Sequence, residues 1–440
     1  MPNLQASLAQ LQHLRRKFES LLVAARANSP SWGRGQFARA TTRLQELTAF
    51  GANPGNLRMF AYVPVRLPSM PGLVVALHGC TQTAVDYDHG TGWSTLADRQ
   101  GFVVVYPQQQ PSNNAKNCFS WFLPGDIQRD RGEALSIREM VGHALVSFGI
   151  DRRKVFVTGL SAGGAMASVM LATYPEVFAG GAIVAGLPYG CAASVQEAFE
   201  VMFAQRSPSE RALGDSVRAA SRHRGPWPRI SVWHGTADPI VSASNADNII
   251  RQWTNVQALQ GHPTHEEKSA HHTRRIWSDA SGKALIEAVS INGMAHGVPI
   301  ATAMGAEGCG AAGPFFLDVG ISSTHQIANF WGLGDDLIDV ATAAAIGRPE
   351  PALMEGAARK AELAARVGQG AIASNEPAFE RDEIYGGHGP VDPNRVIAAA
   401  FKAAGLPIPE VPSLHPEAGP WAMPGPIIEA ALKAAGLVRR

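Results

Sequence analysis

The sequence predicts an α/β protein: a mostly parallel sheet with helices on both faces, extended by helical segments at the N- and C-termini. Three observations point there. Short β-branched or aromatic runs bounded by turn residues recur from about residue 57; helix-like pieces separate them; and several of the runs read as strands buried on both faces.

The first residues set Leu4, Leu8, Leu11, Leu14, Phe18, Leu21 and Leu22 at helical spacing, with arginine, lysine and glutamate between them. That pattern makes residues 1–30 an amphipathic helix and not a signal peptide, which needs an uninterrupted apolar stretch after a basic start. No other segment is long and apolar enough to span a bilayer. The chain is thus expected to be soluble and, on this reading, cytoplasmic.

"RMFAYVPV" (58–65), "GLVVALHG" (72–79) and "GFVVVYPQ" (101–108) read as strands, and "RGEALSIREMVGHALVSFGI" (131–150) as a helix ending near Gly149. The strand "KVFVTG" (154–159), a helix after Ser161 and the strand "GGAIVAG" (180–186) follow. Residues 187–228 are mainly helix-forming text plus "RHRGPWP", an insertion that serves as a lid or substrate-binding segment or is inert. "RISVWHG" (229–235) and "ALIEAVSIN" (284–292) add strands, and "STHQIANFWGL" (323–333) a last helix. Residues 31–340 are therefore expected to form one domain. Beyond it, 341–440 is alanine-rich and proline-punctuated, with near copies at 395–407 and 426–438 that share "KAAGL". Two copies are too few for a solenoid. They are expected to be helices docked on the main domain, or else a docking element for a partner or an insoluble surface.

Composition narrows the function. Hydrophobic residues make up 45% of 440, enough for a sizeable core, and a net charge of +1 gives no electrostatic reason to expect nucleic acid as a partner. The four cysteines, Cys80, Cys118, Cys191 and Cys309, are too widely spaced for zinc-type pairs, and their even number permits two disulfides.

In "KVFVTGLSAGGAMASVM" (154–170), Ser161 stands in a G-x-S-x-G pentapeptide between a strand and a helix. Glycines are required there because side chains flanking a strained elbow would clash with strand and helix. A serine hydroxyl is a weak nucleophile without a base held by a carboxylate. Asp238 follows the strand "RISVWHG" and His296 lies in a glycine-bounded loop after "ALIEAVSIN", so each falls at or beyond the carboxyl end of a strand. The order Ser161, Asp238, His296 is that of α/β-hydrolases. His78 and His234, each ending a strand, are weaker candidates for the base and better suited to supporting loops. His262, His265, His271 and His272 lack metal-binding spacing and read as a solvated loop. Ester cleavage places charge on the carbonyl oxygen, which needs two donors. The backbone N–H groups of Ala162 and Cys80 are the candidates. No cofactor or metal is expected.

These segments resemble the esterase/polyhydroxybutyrate (PHB) depolymerase group of α/β-hydrolases, which includes feruloyl and acetyl-xylan esterases. The resemblance rests on "LHGCTQTA" (77–84), "NCFSWF" (117–122), "RKVFVTGLSAGGAMA" (153–167), "AGLPYGCA" (185–192), "WHGTADPIV" (233–241), "GMAHGVPI" (293–300) and "GPFFLDVGISSTHQIANFWGL" (313–333). It implies a triad of Ser161, Asp238 and His296, an oxyanion hole from Cys80 and Ala162, and disulfides Cys80–Cys118 and Cys191–Cys309. It also implies that Trp121 and Phe119 line the substrate cleft. The chain departs from the motif, with Phe119 and Ser120 where the family pattern has Trp and Asn. The resemblance further implies secretion, against the cytoplasmic reading above. The expected activity is serine ester hydrolysis through an acyl-enzyme, on short-chain polyhydroxyalkanoate or its oligomers, with an insoluble polyester surface as a partner. Feruloyl or acetyl-xylan esters are the alternative substrates, and a non-catalytic binding protein on the same fold is the alternative of another class.

Overall fold

The computed structural model describes residues 2–27, 43–206, 208–302 and 308–333. They lie within one of the two compact units of the chain, Met1–Pro351. The expected KAAGL helices and the rest of 341–440 lie outside the described residues.

In chain order the elements are α1 (Pro2–Ala27), β1 (Gln45–Leu47), β2 (Arg58–Tyr62), β3 (Gly72–Leu77), α2 (Ala84–Thr91), α3 (Trp93–Gln100), β4 (Phe102–Gln108), α4 (Pro124–Ile127), α5 (Gly132–Ser147), β5 (Val155–Leu160) and α6 (Ala162–Thr173). Then follow β6 (Gly180–Val184), α7 (Val195–Met202), α8 (Glu210–Ala220), β7 (Arg229–Gly235), α9 (Ser244–Val256), β8 (His265–Lys268), β9 (His272–Ser278), β10 (Ala284–Ile291), β11 (Val298–Ile300), β12 (Phe316–Asp318) and α10 (Ser323–Trp331). Among the described residues, no helix is long and apolar enough to cross a membrane.

Ten strands form one sheet in the order β1-β2-β4-β3-β5-β6-β7-β10-β9-β8. The central run from β4 to β10 is parallel, and the outer strands pair antiparallel. Side chains alternate across the sheet: Leu73, Val75 and Leu77 of β3 join one core cluster, Val74 and Ala76 the other. Helices α5 and α9 supply Ile137, Met140, Ile249 and Trp253 to the first, while α2, α3 and α10 supply Tyr87, Trp93 and Trp331 to the second. Both faces are thus covered, which is why β3, β4, β5 and β6 are buried along their whole length.

The expected strands and helices are present within a few residues of their predicted ends. Several elements were not foreseen. Thr83 caps α2 in a reciprocal capping box with Asp86, and Gly92, at φ 71°, separates α2 from α3. Residues 265–278 form the hairpin β8–β9 rather than a loop. Its first strand is exposed throughout, so it carries no apolar alternation to reveal it.

Register positions the site. Leu77 pairs with Gly159, Leu160 with Val184, Val184 with Trp233, and Gly235 with Ile291. The carboxyl ends of β3, β5, β6, β7 and β10 therefore align along one edge. The chain runs from β3 outward to β4 and returns on the other side as β5, so the β3 and β5 loops flank the point where strand order reverses, a usual site for ligands in such sheets.

Candidate active site

Ser161 occupies the turn between β5 and α6 at φ 57° and ψ −117°, a strained conformation for a residue with a side chain. Its N–H donates to Val184 O at 2.9 Å, and its carbonyl accepts the first bond of α6 from Ala165 N–H. The glycines around it are sterically required. A Cβ on Gly163 would collide with the carbonyl oxygens of Leu77 and His78, and one on Gly159 would sit 2.8 Å from Leu77 O. β3, β5 and α6 approach so closely that only hydrogen fits between them.

Asp238 follows β7, its side chain wholly buried. Oδ1 accepts the N–H groups of Ile240 (2.8 Å) and Val241 (2.9 Å), and Oδ2 bonds His296 Nδ1 at 2.6 Å. Burial alone raises the Asp238 carboxyl pKa, but the adjacent His296 and His234 imidazoles outweigh it and hold the group below the usual carboxylate range. Asp238 is therefore ionised and accepts the Nδ1–H of His296, leaving Nε2 as the free face of that ring. His296 is buried, with Phe315 edge-on at 6.0 Å, and shares a small hollow with Ser161, Gly79, Cys80 and Leu160.

The β3 loop carries Cys80, joined to Cys118 by a disulfide, and Thr81 N–H donates to Lys116 O at 2.6 Å. His78 stands beneath this loop. Burial lowers its pKa to about 4, so it is neutral at pH 7; Nδ1–H donates to Gly79 O (2.8 Å) and Nε2 accepts Gln109 N–H (3.1 Å). Beside Cys80, Ser161 and Ala162 opens a largely apolar cleft of about 440 Å³, walled by Phe18, Trp121, Phe122, Leu187, Phe199 and Met202. A wider groove at the opposite edge of the sheet, near Lys154 and Arg229, contains none of these residues.

The family model for "Esterase PHB depolymerase" matches residues 59–276. The chain is 45% identical over 291 residues to poly(3-hydroxyalkanoate) depolymerase C of Paucimonas lemoignei, a match covering 66% of this chain and 70% of that protein. The chain belongs to the esterase PHB depolymerase family. This esterase is also 38% identical to an acetylxylan esterase of Coprinopsis cinerea, over 58% of its own length and 70% of that protein's. Among solved structures it superposes on the acetyl xylan esterase from Aspergillus awamori with a TM-score of 0.57 and 27% identity, covering 66% of this chain and 98% of that one. It is a serine carboxylic-ester hydrolase of the α/β-hydrolase type.

The structure brings Ser161, His296, Cys80 and Ala162 to one edge of the sheet of this esterase, with Asp238 behind His296 and Trp121 in the cleft wall. Two expectations are corrected. Phe119 does not line the cleft: it is fully buried with its ring 5.0 Å from that of His78, and Phe122 faces the cleft instead. Cys191 and Cys309 are not bonded to each other; both are free and buried. They sit on different loops, Cys191 ahead of α7 and near Glu197 of that helix and Arg206 beyond it, Cys309 against Ser322 Oγ at 3.3 Å and the backbone near Gly92.

Sequence reasoning missed the part α1 plays. Leu22 closes the hollow over Ser161 and His296, and Phe18 enters the cleft wall. The signal was the apolar stripe of α1, which announces burial without naming the partner.

Proposed function

We propose that this esterase cleaves short-chain polyhydroxyalkanoate or its oligomers through an acyl-enzyme on Ser161, with residues 31–340 as the catalytic domain. Ser161 Oγ attacks the ester carbonyl as His296 Nε2 takes its proton. The carbonyl oxygen becomes an oxyanion, held by the N–H groups of Cys80 and Ala162, the latter at the positive end of α6. Collapse expels the alcohol, which receives the proton from His296. Water, deprotonated by His296, then attacks the acyl carbon and releases the acid and free Ser161. Asp238 orients the ring and stabilises its charged form. Trp121 and the apolar walls receive the hydrocarbon part of the substrate.

The observation that carries this reading is the 2.6 Å bond from His296 Nδ1 to a buried, fully hydrogen-bonded Asp238, with His296 sharing a hollow with a strained Ser161. The apolar cleft and the 45% identity to a polyhydroxyalkanoate depolymerase favour the substrate class. The likeness in sequence and fold to acetylxylan esterases supports acetyl or feruloyl esters of polysaccharide as the second reading. Hydrolysis of a chromogenic butyrate ester by wild type and by Ser161→Ala tests the nucleophile, with a loss of at least about 10³-fold expected. Equal rates would reject it. Rates on hydroxybutyrate oligomers, feruloyl esters and acetylated xylan decide the substrate, and faster turnover of either sugar ester than of the oligomers would overturn the first reading.

A further inference from the structure

Helix α1 lies over the catalytic cleft. Leu14, Phe18 and Leu22, at i, i+4 and i+8, share a face with Leu21 and Ala25. Leu14 and Leu22 are buried, and Phe18, Leu21 and Ala25 pack against the cluster that includes Leu160 and Met202. Val23, on the opposite face, is 69% exposed. The Phe18 ring lies 5.6 Å from Phe199 of α7, and the Lys17 ammonium sits 4.2 Å over Phe203, so α1 rests on the 187–228 insertion. Under this cover Ser161 is 8% exposed and His296 4%.

Cleavage at an interior bond of a polyester needs the chain to cross the serine with both ends leaving toward solvent. An apolar helix in that path would have to be displaced, exposing its buried face to water. A short ester needs no displacement, because a cleft of about 440 Å³ already has the size of a small-molecule site. We propose that α1 is a specificity element of the ester site. Phe18, in the cleft wall, and Leu22, over the hollow of Ser161 and His296, close the site around a short soluble ester or the end of an oligomer and exclude the interior of a polymer chain. The proposal rests on the reading of Ser161 as nucleophile.

The test uses the full-length chain. kcat/KM is measured for p-nitrophenyl acetate, butyrate and octanoate with wild type, Leu22→Ala, Leu22→Trp and the outer-face control Val23→Ser, each checked by thermal unfolding. Leu22→Ala raises the octanoate-to-acetate ratio by about tenfold and Leu22→Trp lowers it by a similar factor, the scale of a few methylene groups in an apolar pocket. Val23→Ser leaves the ratio as in wild type. Wild type releases acid from soluble hydroxybutyrate trimer faster than from polymer film. If either Leu22 variant fails to fold, Phe18→Ala replaces it and raises the ratio. Folded variants whose chain-length profiles superimpose on wild type overturn the proposal, as does equal release from film and trimer. Full activity in Ser161→Ala instead rejects the underlying nucleophile and is read separately.

Discussion

Nε2 of His234 lies 3.3 Å from Asp238 Oδ2, the same oxygen that bonds His296 Nδ1 at 2.6 Å. It also lies 2.9 Å from Val241 O, an acceptor, so this nitrogen carries the hydrogen. Asp238 thus has partners on both oxygens and cannot rotate. In the proposed mechanism His234 serves as a positioning residue, acting on the reaction through the carboxylate. His234→Phe keeps the ring volume and removes the donor. It is expected to lower kcat on the butyrate ester about tenfold, the equivalent of one hydrogen bond to a charged group, with little change in KM. An unchanged kcat would show that the ring only fills space.

Cys80 and Cys118 tie the β3 loop to the segment that carries Trp121, across a separation of 38 residues. The loop-closure model gives such a link about 4 kcal/mol of stability, as an upper figure. Cys118→Ser is expected to lower the melting temperature and to reduce kcat as well, because the Cys80 N–H loses its anchor. Urea unfolding and butyrate-ester kinetics on the same preparation check both. Lost stability with full kcat would detach the disulfide from the oxyanion assignment.

Glu133 is buried where Ser120 N–H donates to Oε2 (2.9 Å) and Gln109 Nε2 donates to Oε1 (2.6 Å). Burial pushes its carboxyl up to about 7, despite these bonds. A carboxyl whose folded pKa lies above its unfolded value keeps its proton longer in the folded state. Stability therefore falls as pH rises from about 4.5 to about 7 and is flat above, by up to about 3 kcal/mol from this group alone. Glu133→Gln should flatten that part of the melting-temperature profile. An unaltered slope would assign it to other groups.

The sequence displays the sheet well because its signals are local. β3, β4 and β5 are apolar runs between turns, and Gly159 and Gly163 mark the elbow because packing there admits no side chain. Asp238 and His296 are legible from strand ends once the order of the strands is assumed. What stayed hidden depends on distant packing. Disulfide connectivity is not written in spacing, so a pairing of Cys191 with Cys309 could not be tested before their loops were placed. Phe119 and Phe122 are both aromatic residues in one loop, and only the folded path decides which one meets the cleft. Strand β8 of the β8–β9 hairpin is a polar edge, with histidine, lysine and glutamate where an inner strand would carry apolar side chains, and such edges discourage pairing with another chain.

Because Cys191 and Cys309 are unpaired and sealed inside the fold, the molecule carries its own reporter of opening. Burial pushes the Cys191 thiol up to about 12 and raises that of Cys309 too, so neither reacts as a thiolate near neutral pH while the chain is folded. An alkylating reagent added to native protein meets silence from both. Each labelling event then times the moment its own loop lets go: Cys191 beside α7 records departure of the cleft wall, and Cys309, against Ser322 at the start of α10 and the backbone at Gly92, records the parting of that loop from α10 and the α2–α3 turn.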